Sequence, residues 1–451
     1  MVEDVLEEAT EAAEELRDFE GKIRLVGQYD ADGICATTIA HEMLERLGKE
    51  FEYEILKQLY EEDVERLAGE DEGLIFFVDI GSGQSELIEE HVAGEKQVVV
   101  SDHHEPQIEG SFQHLNPHFL GYDGGEAISA AGMTYLLAMA VDANNRDLVK
   151  YALIGATGDV QKQDGEFLGL NQELVDEALD AGLIEKRQAL DLYGRTTKPL
   201  QKSLMYTTDP HLEGVSNEES GAIQLVKSAG IDLREDGDFR TLSDLSEEEE
   251  RQLVQRMIQQ GLPVQELLND VYMLPNGYEI DEFSTVINAC GRLGEPKKGV
   301  KILLEDDEEL IDRMSSRYGR KISSSLGYVE ENRDNEEVVY EKTVGVIDGN
   351  SSIDEEFIGT VATISMSNGL FSAPVIVGVA EAEKDKLKVS SRAEKEVVEN
   401  GLNLGEVVSE ICEEVDGEGG GHNVAAGAKI PQENKQEFID SLDERIKSTV
   451  C

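Results

Sequence analysis

Tryptophan is missing from this 451-residue chain, cysteine is scarce, and positive charge is heavily outnumbered. The four cysteines, Cys35, Cys290, Cys412 and Cys451, stand far apart and make no CxxC pair. That argues against a structural zinc site, whose thiolates come in closely spaced pairs. So little thiol suits a reducing, intracellular setting. Long apolar runs are also missing, and none approaches the roughly 20 residues of a membrane span. The opening residues, MVEDVLEEATEAAEEL, lack the basic start and apolar centre of a secretory signal. The expectation is a cytoplasmic protein with no membrane partner. Aromatics make up only 6% of the chain, so small aliphatic residues must fill its interior. Its length exceeds one ordinary core and predicts two or three domains.

Acid is what the chain has in excess. Lys and Arg number 40 against 96 Asp and Glu, a formal net charge of −56. Disorder would require low hydrophobicity throughout, and the apolar segments described next recur too regularly for that. The charge fits work in concentrated salt, where the Debye length falls to about 3 Å and surface carboxylates repel each other little. Net charge reports solvation rather than site chemistry, so it does not exclude a polyanionic substrate.

After an acidic helix over 2–19, short apolar strands alternate with helical spacing. KIRLVGQ (22–28), FEYEIL (51–56), GLIFFVDIG (73–81) and QVVVSDHH (97–104) read as strands, with helices at 33–47 and about 84–93. The continuous apolar runs are those of buried parallel strands. A parallel sheet with helices on both faces is the natural architecture. Two Ala-rich helices are expected within 129–160, and 172–193 also reads as helix. The acidic stretch 206–275 reads as a helical bridge, with a helix capped by Ser246. Helices continue over 282–332. A second, smaller α/β unit follows, with helices at 355–367, 402–415 and 433–447, strands at 374–381 and 386–392, and a Gly-rich loop at 417–421. The expected boundaries are 1–205, 206–335 and 336–451.

In a chain this acidic a lone Asp says little, so position has to discriminate. Ligands of doubly wound sheets bind beyond the carboxyl ends of strands. Asp30-Ala31-Asp32-Gly33, Asp79-Ile80-Gly81 and Asp102-His103-His104 follow apolar runs of this kind, and Asp159 ends the apolar stretch 151–158. Each alone also suits a cap or turn, where Asp and Gly are favoured. Jointly they make a carboxylate and imidazole set without thiolate, which suits Mn²⁺ or Mg²⁺ better than Zn²⁺. Two such ions about 3.5–4 Å apart can clamp an in-line phosphoryl displacement.

The segments DADG (30–33), VDIGSG (78–83), SDHHEP (101–106) and GATGD (155–159) resemble, in order, the four motifs of the DHH phosphoesterase family. Within that family the likeness is to RecJ-like single-strand nucleases of an archaeal, salt-adapted type. The resemblance implies a parallel-sheet DHH domain, a helical bridge and a smaller C-terminal DHH-associated α/β domain. It implies two Mn²⁺ ions, with Mg²⁺ as substitute. Asp30 and Asp79 would hold one ion, and Asp32, Asp79, His103 and Asp159 the other, with Asp79 as the bridge. His104 would sit near the scissile phosphate, and Asp102 would orient a histidine from behind. Many relatives carry His two residues before the first Asp; here it is Gln28, a poorer partner for a transition metal. Gly419-Gly420-Gly421-His422 resembles the GGGH loop of the associated domain, and Ser390-Ser391-Arg392 its substrate-binding segment. That places Ser391, Arg392, Gly420, Gly421 and His422 on substrate phosphate. NACGR (288–292) resembles a RecJ-like segment and puts Arg292 near substrate or between domains.

The implied partner is single-stranded DNA or RNA, cut as an exonuclease cuts it. Lys162, Arg195, Lys198, Lys202, Lys297, Lys298, Arg317, Arg320 and Lys321 supply basic charge, and Tyr193 and Tyr206 are candidate stacking platforms. Two alternatives remain: a phosphodiesterase for nanoRNA or cyclic dinucleotides, and a replication-fork scaffold partnering factors such as GINS. The resemblance covers about 21–205 and 282–451, and leaves 206–281 unexplained.

Overall fold

The computed structural model describes residues 2–450 apart from positions 164, 191, 193, 196, 197, 208, 209, 236, 237, 336, 368, 383 and 384, so Tyr193 lies outside it. The described chain forms two compact units, Met1–Met314 and Ser315–Cys451.

The first unit opens with α1 (Val2–Asp18), β1 (Lys22–Gln28), α2 (Ala31–Arg46), β2 (Glu50–Leu56), α3 (Glu61–Ala68), β3 (Leu74–Val78), α4 (Ser85–His91), β4 (Gln97–Ser101) and β5 (Gln113–Leu115). The five strands form one sheet in the order β2-β1-β3-β4-β5, parallel throughout. Alternate residues of β3 feed opposite cores. Leu74, Phe76 and Val78 join α1 and α2 on one face, while Ile75 and Phe77 join α3 and α4 on the other. A strand buried on both faces can spare no polar position, which explains the unbroken LIFFV run. The strand order reverses between β1 and β3. The binding crevice of an open α/β sheet lies at such a switch point, beyond the strand ends.

Next come α5 (Ala130–Val141), α6 (Val149–Gly158), the two-residue strands β6 (Lys162–Gln163) and β7 (Glu166–Phe167), α7 (Leu170–Asp180) and β8 (Glu185–Leu190). The two Ala-rich helices expected within 129–160 form as α5 and α6, and Asp159 caps the second. One expectation changes here: 172–193 is not one helix, because β8 leaves it to pair antiparallel with a distant segment.

The bridge comprises α8 (Leu200–Tyr206), α9 (Glu219–Ser228), the hairpin β9 (Arg234–Glu235) and β10 (Asp238–Phe239), α10 (Glu247–Gln259) and β11 (Leu268–Met273), the partner of β8. It has its own core around Leu200, Leu204, Leu225, Leu253 and Met257. Ser246 caps α10 as expected, with Glu249 closing a capping box. Arg195 is interior: its side chain is 2% exposed and donates to the Leu190 carbonyl at 2.6 Å, so it serves packing here.

Three helices follow, α11 (Ile280–Arg292), α12 (Pro296–Glu305) and α13 (Glu308–Glu331). The second unit then contains β12 (Val339–Glu341), β13 (Val344–Asn350), α14 (Glu355–Ser367), β14 (Val375–Glu381), β15 (Lys386–Ala393), α15 (Lys395–Glu399), α16 (Leu404–Glu414), β16 (Glu418–Gly421), β17 (Ala425–Pro431) and α17 (Lys435–Val450). Its mixed sheet runs β12-β13-β14-β15-β17-β16. The Gly-rich segment read as a loop is therefore an edge strand, β16, paired antiparallel with β17. Glycine's low strand preference hides such a segment from sequence patterning. Among the described residues no helix is long and apolar enough to cross a membrane.

Candidate metal centre

The ends of β1, β3 and β4 bring Asp30, Asp79 and Asp102-His103-His104 together, and α6 adds Asp159. Asp30 caps α2, accepting from Gly33 N–H at 3.0 Å. Asp32 is buried in the first turn of α2 and takes the N–H groups of Ala130 (2.8 Å) and Ala131 (3.1 Å) at the start of α5. A helix N-terminus is a natural anchor for a carboxylate.

Asp79 stands apart from its neighbours. It is 1% exposed and adopts φ 58°, left-handed backbone that Asp tolerates better than most residues. Its Oδ1 has no hydrogen-bond partner. Burial pushes its carboxyl well above the usual range, and Asp30, Asp32, Asp102 and Asp159 push it further. Burial, with Asp30 adding to it, raises Asp32 against the pull of His103. Burial also brings Asp159 to about 7, despite His103. So many buried carboxylates with so little compensating positive charge suit a bound cation.

His103 is held so that a ring nitrogen lone pair is available. His103 Nδ1 donates to the Gly124 carbonyl at 2.9 Å. A carbonyl only accepts, so Nδ1 carries a hydrogen, and in the neutral ring Nε2 holds the lone pair. Nε2 then lies 3.6 Å from Asp79 Oδ1 and 4.0 Å from Asp32 Oδ2. Electron pairs facing each other across such gaps fit a divalent ion between them, and the all-oxygen-and-nitrogen set fits Mn²⁺ or Mg²⁺. Among the described residues, two groups have the spacing of metal ligands: Asp79, Asp102, His103 and His104, and Asp32, His103 and Asp159.

Asp102 is occupied differently. Its Oδ2 accepts from Ser82 N–H at 2.9 Å, and its Oδ1 from His103 N–H at 2.7 Å, His104 N–H at 3.2 Å and His104 Nδ1 at 2.8 Å. With its lone pairs filled it serves to hold the loop and aim His104. Burial alone would raise Asp102 and lower His104. Their mutual attraction reverses both, so Asp102 lies well below the usual carboxylate range and His104 rises to about 9. His104, 48% exposed at its side chain, thus presents a cationic edge outward.

Gln28 reaches the same carboxylates. With its amide nitrogen turned toward them it donates to Asp30 Oδ2 at 2.8 Å and Asp79 Oδ2 at 3.1 Å. Patterning missed several supporting residues. Gln161 donates to Asp159 at 2.8 Å and to the Gly124 carbonyl at 2.7 Å, and its own oxygen accepts from Asn171. Asn116 ties Ser82 to the His104 carbonyl. No spacing rule marks them; only the position of Gln161, two residues after Asp159, was a hint.

The motif glycines have packing reasons. A Cβ on Gly155 would stand 2.4 Å from Asp32 Oδ1, and one on Gly158 2.5 Å from the Ala31 Cβ. Gly291 of NACGR would place its Cβ 1.8 Å from the Tyr29 carbonyl, so Arg292 is anchored one residue from a contact with the first motif. Lys162 pairs with Asp281 at 2.6 Å.

In the second unit, strand register aligns Ser391 with Ala426 and Gly421, and Arg392 with Ala425. His422 closes the β16–β17 turn, its N–H donating to Ala425 O at 2.8 Å. Arg392 donates to Thr363 Oγ1 at 2.9 Å and the Ser391 carbonyl at 2.8 Å. Ser391 is fully buried. Ser390, whose Oγ approaches Gly359 as Arg392 does, shares the arginine's face. Gly419 and Gly421 are required by packing, since a Cβ on either would meet backbone or Cys412 within 3 Å. Gly420 meets nothing within 4 Å, so packing does not account for it.

Comparison with known proteins gives three family matches: the DHH family N-terminal domain over residues 22–158, the DHH-CID domain over 192–270 and the DHHA1 domain over 337–448. The second covers most of the bridge that the motifs left unexplained. An uncharacterized protein of Methanocaldococcus jannaschii is 31% identical over 98% of this chain and 97% of its own. The single-stranded-DNA-specific exonuclease RecJ of Bacillus subtilis is 23% identical over 99% of this chain but 48% of its own, so this chain spans about half that relative's length. Among solved structures, RecJ of Thermus thermophilus with Mn²⁺ aligns with TM-score 0.61 and 19% identity over 98% of this chain and 55% of that one. CDC45 of Entamoeba histolytica aligns with TM-score 0.63 and 14% identity over 98% and 99%.

Proposed function

This chain belongs to the DHH family, with the fold and domain order of RecJ, and on that premise we propose that it is a divalent-metal-dependent exonuclease that hydrolyses phosphodiester bonds of single-stranded nucleic acid. The observation that carries the reading is the partnerless Oδ1 of buried Asp79 facing the lone pair of His103 at 3.6 Å. A carboxylate buried without a partner costs stability and persists where function needs it. Asp30, Asp32, Asp79, His103 and Asp159 would hold two Mn²⁺ or Mg²⁺ ions, with Asp79 between them. Bound metal would supply a hydroxide nucleophile and neutralise charge on the phosphate. His104, aimed by Asp102 and kept cationic, would donate a hydrogen bond to a phosphate oxygen, and Gln28 would hold the Asp30 and Asp79 carboxylates in place.

Substrate length is the finer question. In a chain with 96 acidic residues, positions 313–329 contain none, yet include Arg313, Arg317, Arg320 and Lys321. The exposed faces of α1 and α10 are acidic by contrast. Arg320, Lys321, Ser323 and Ser324 are exposed on α13. A basic helix face tracks a phosphate backbone, which supports a polymer over a dinucleotide. In the second unit, Arg392, Gly420, Gly421 and His422 would bind further phosphates.

The likeness to CDC45 supports a second reading, a replication-fork scaffold that partners factors such as GINS. A scaffold has no use for an unpaired carboxylate in its interior. The deciding assay supplies Mn²⁺ and high salt and compares an end-labelled single strand of about 20 nucleotides with a dinucleotide. Stepwise shortening of the long strand is expected. Turnover of the dinucleotide alone would make the protein a small-substrate phosphodiesterase, and turnover of neither would make it a scaffold.

A further inference from the structure

Val160 occupies a position that local physics reserves for other residues. At the end of α6, Gln161 N–H donates to Ala156 O at 2.8 Å and Val160 N–H to Thr157 O at 3.2 Å. This bond pair is a Schellman cap, whose central residue is left-handed and most often glycine. Val160 sits there at φ 60°, a genuine outlier for a β-branched residue. Burial does not compensate, because its side chain is 79% exposed, the highest value among the large exposed hydrophobics of the described residues. Its neighbours on either side, Asp159 and Gln161, belong to the metal centre. A strained, solvent-facing isopropyl group therefore stands on the rim of a site otherwise built from carboxylates, imidazoles and amides.

We propose that Val160 is a substrate contact, packing its isopropyl group against the apolar face of the nucleoside that flanks the scissile phosphate. The proposal rests on the phosphodiesterase reading and adds a residue to it. Phosphates gain nothing from a methyl group, whereas a base or the C–H face of a sugar loses water against one. Every base has such a face, so the contact tolerates any sequence, as an exonuclease requires. Strain held at a functional rim is a known way for a chain to favour a contact over its own stability.

The test uses the full-length protein with Mn²⁺ and three variants: Val160→Gly, Val160→Asn and Val160→Ile. Glycine and asparagine accept the left-handed conformation, so Tm is expected to hold or rise by up to about 3 °C. KM for a single-stranded oligonucleotide should rise about threefold to tenfold in both, with Val160→Ile near wild type. Mn²⁺ affinity should not change. Two results would overturn the contact: wild-type KM in the Gly and Asn variants, or a Tm loss in Val160→Gly, which would make the residue structural. If wild type itself cuts no nucleotide substrate, the phosphodiesterase reading fails, and the contact with it. Cleavage by wild type and variants alike removes the contact alone.

Discussion

His103 Nε2 and Asp79 Oδ1 face each other at 3.6 Å, beyond hydrogen-bond range, while Nδ1 of the same ring donates to the Gly124 carbonyl. Removing the Asp79 carboxylate should therefore help the metal-free protein and ruin the metal-bound one. Asp79→Asn is the better variant, since asparagine tolerates φ 58° and alanine does not. Hydrolysis is expected to fall at least about a hundredfold. Tm without metal should hold or rise, and the increment that Mn²⁺ gives wild type should vanish. Differential scanning calorimetry with and without Mn²⁺ checks both; an intact metal increment would remove Asp79 from the centre.

Gln28 touches Asp30 and Asp79 through its amide. Imidazole is a better ligand than an amide for a transition metal. Gln28→His is expected to tighten Mn²⁺ binding several-fold by isothermal titration. Unchanged affinity would mean that position 28 supports the carboxylates and does not face the ion.

Gly291 abuts the Tyr29 carbonyl, one residue from Asp30. Gly291→Ala must push α11 or the first motif aside, and should cost about 1–3 kcal/mol, as overpacking does. Mn²⁺ affinity should drop with it. Gly319→Ala in α13 is the control: its Cβ meets nothing within 4 Å, so it should hold stability or add about 0.5–1 kcal/mol. Urea midpoints for the two variants separate a specific contact from a general helix effect.

Arg392 and His422 contribute no ligand to the Asp/His cluster of the first unit. Changing both to Ala should leave Mn²⁺ affinity untouched and raise KM for single strands, because each charge-assisted contact is worth roughly 1.5–3 kcal/mol. Extra Mn²⁺ should not rescue the loss. Normal cleavage by the double variant would reduce the GGGH segment to a structural edge strand.

Much of this centre was legible in one dimension. Apolar runs ending in DADG, VDIG and SDHH announce buried strands with ligands at their ends, because a strand covered on both faces admits no polar residue until it leaves the sheet. Other features could be settled only in three dimensions. The Ala-rich pattern of 129–160 announces helices, but that the end of the second one carries Asp159 to the strand-end carboxylates is a matter of tertiary packing. The GGGH segment pairs as a strand because a neighbour supplies the hydrogen bonds its glycines do not favour. The lone pair of His103 faces Asp79 because Gly124, twenty-one residues away, accepts the other nitrogen's hydrogen. Gly155, Gly291, Gln161 and Asn171 matter through contacts between segments distant in the chain. Local propensity governs what an element is and where its polar residues fall. Which of them meet, and in which protonation state, depends on non-local packing and on the burial that raises the free energy of every unpaired charge.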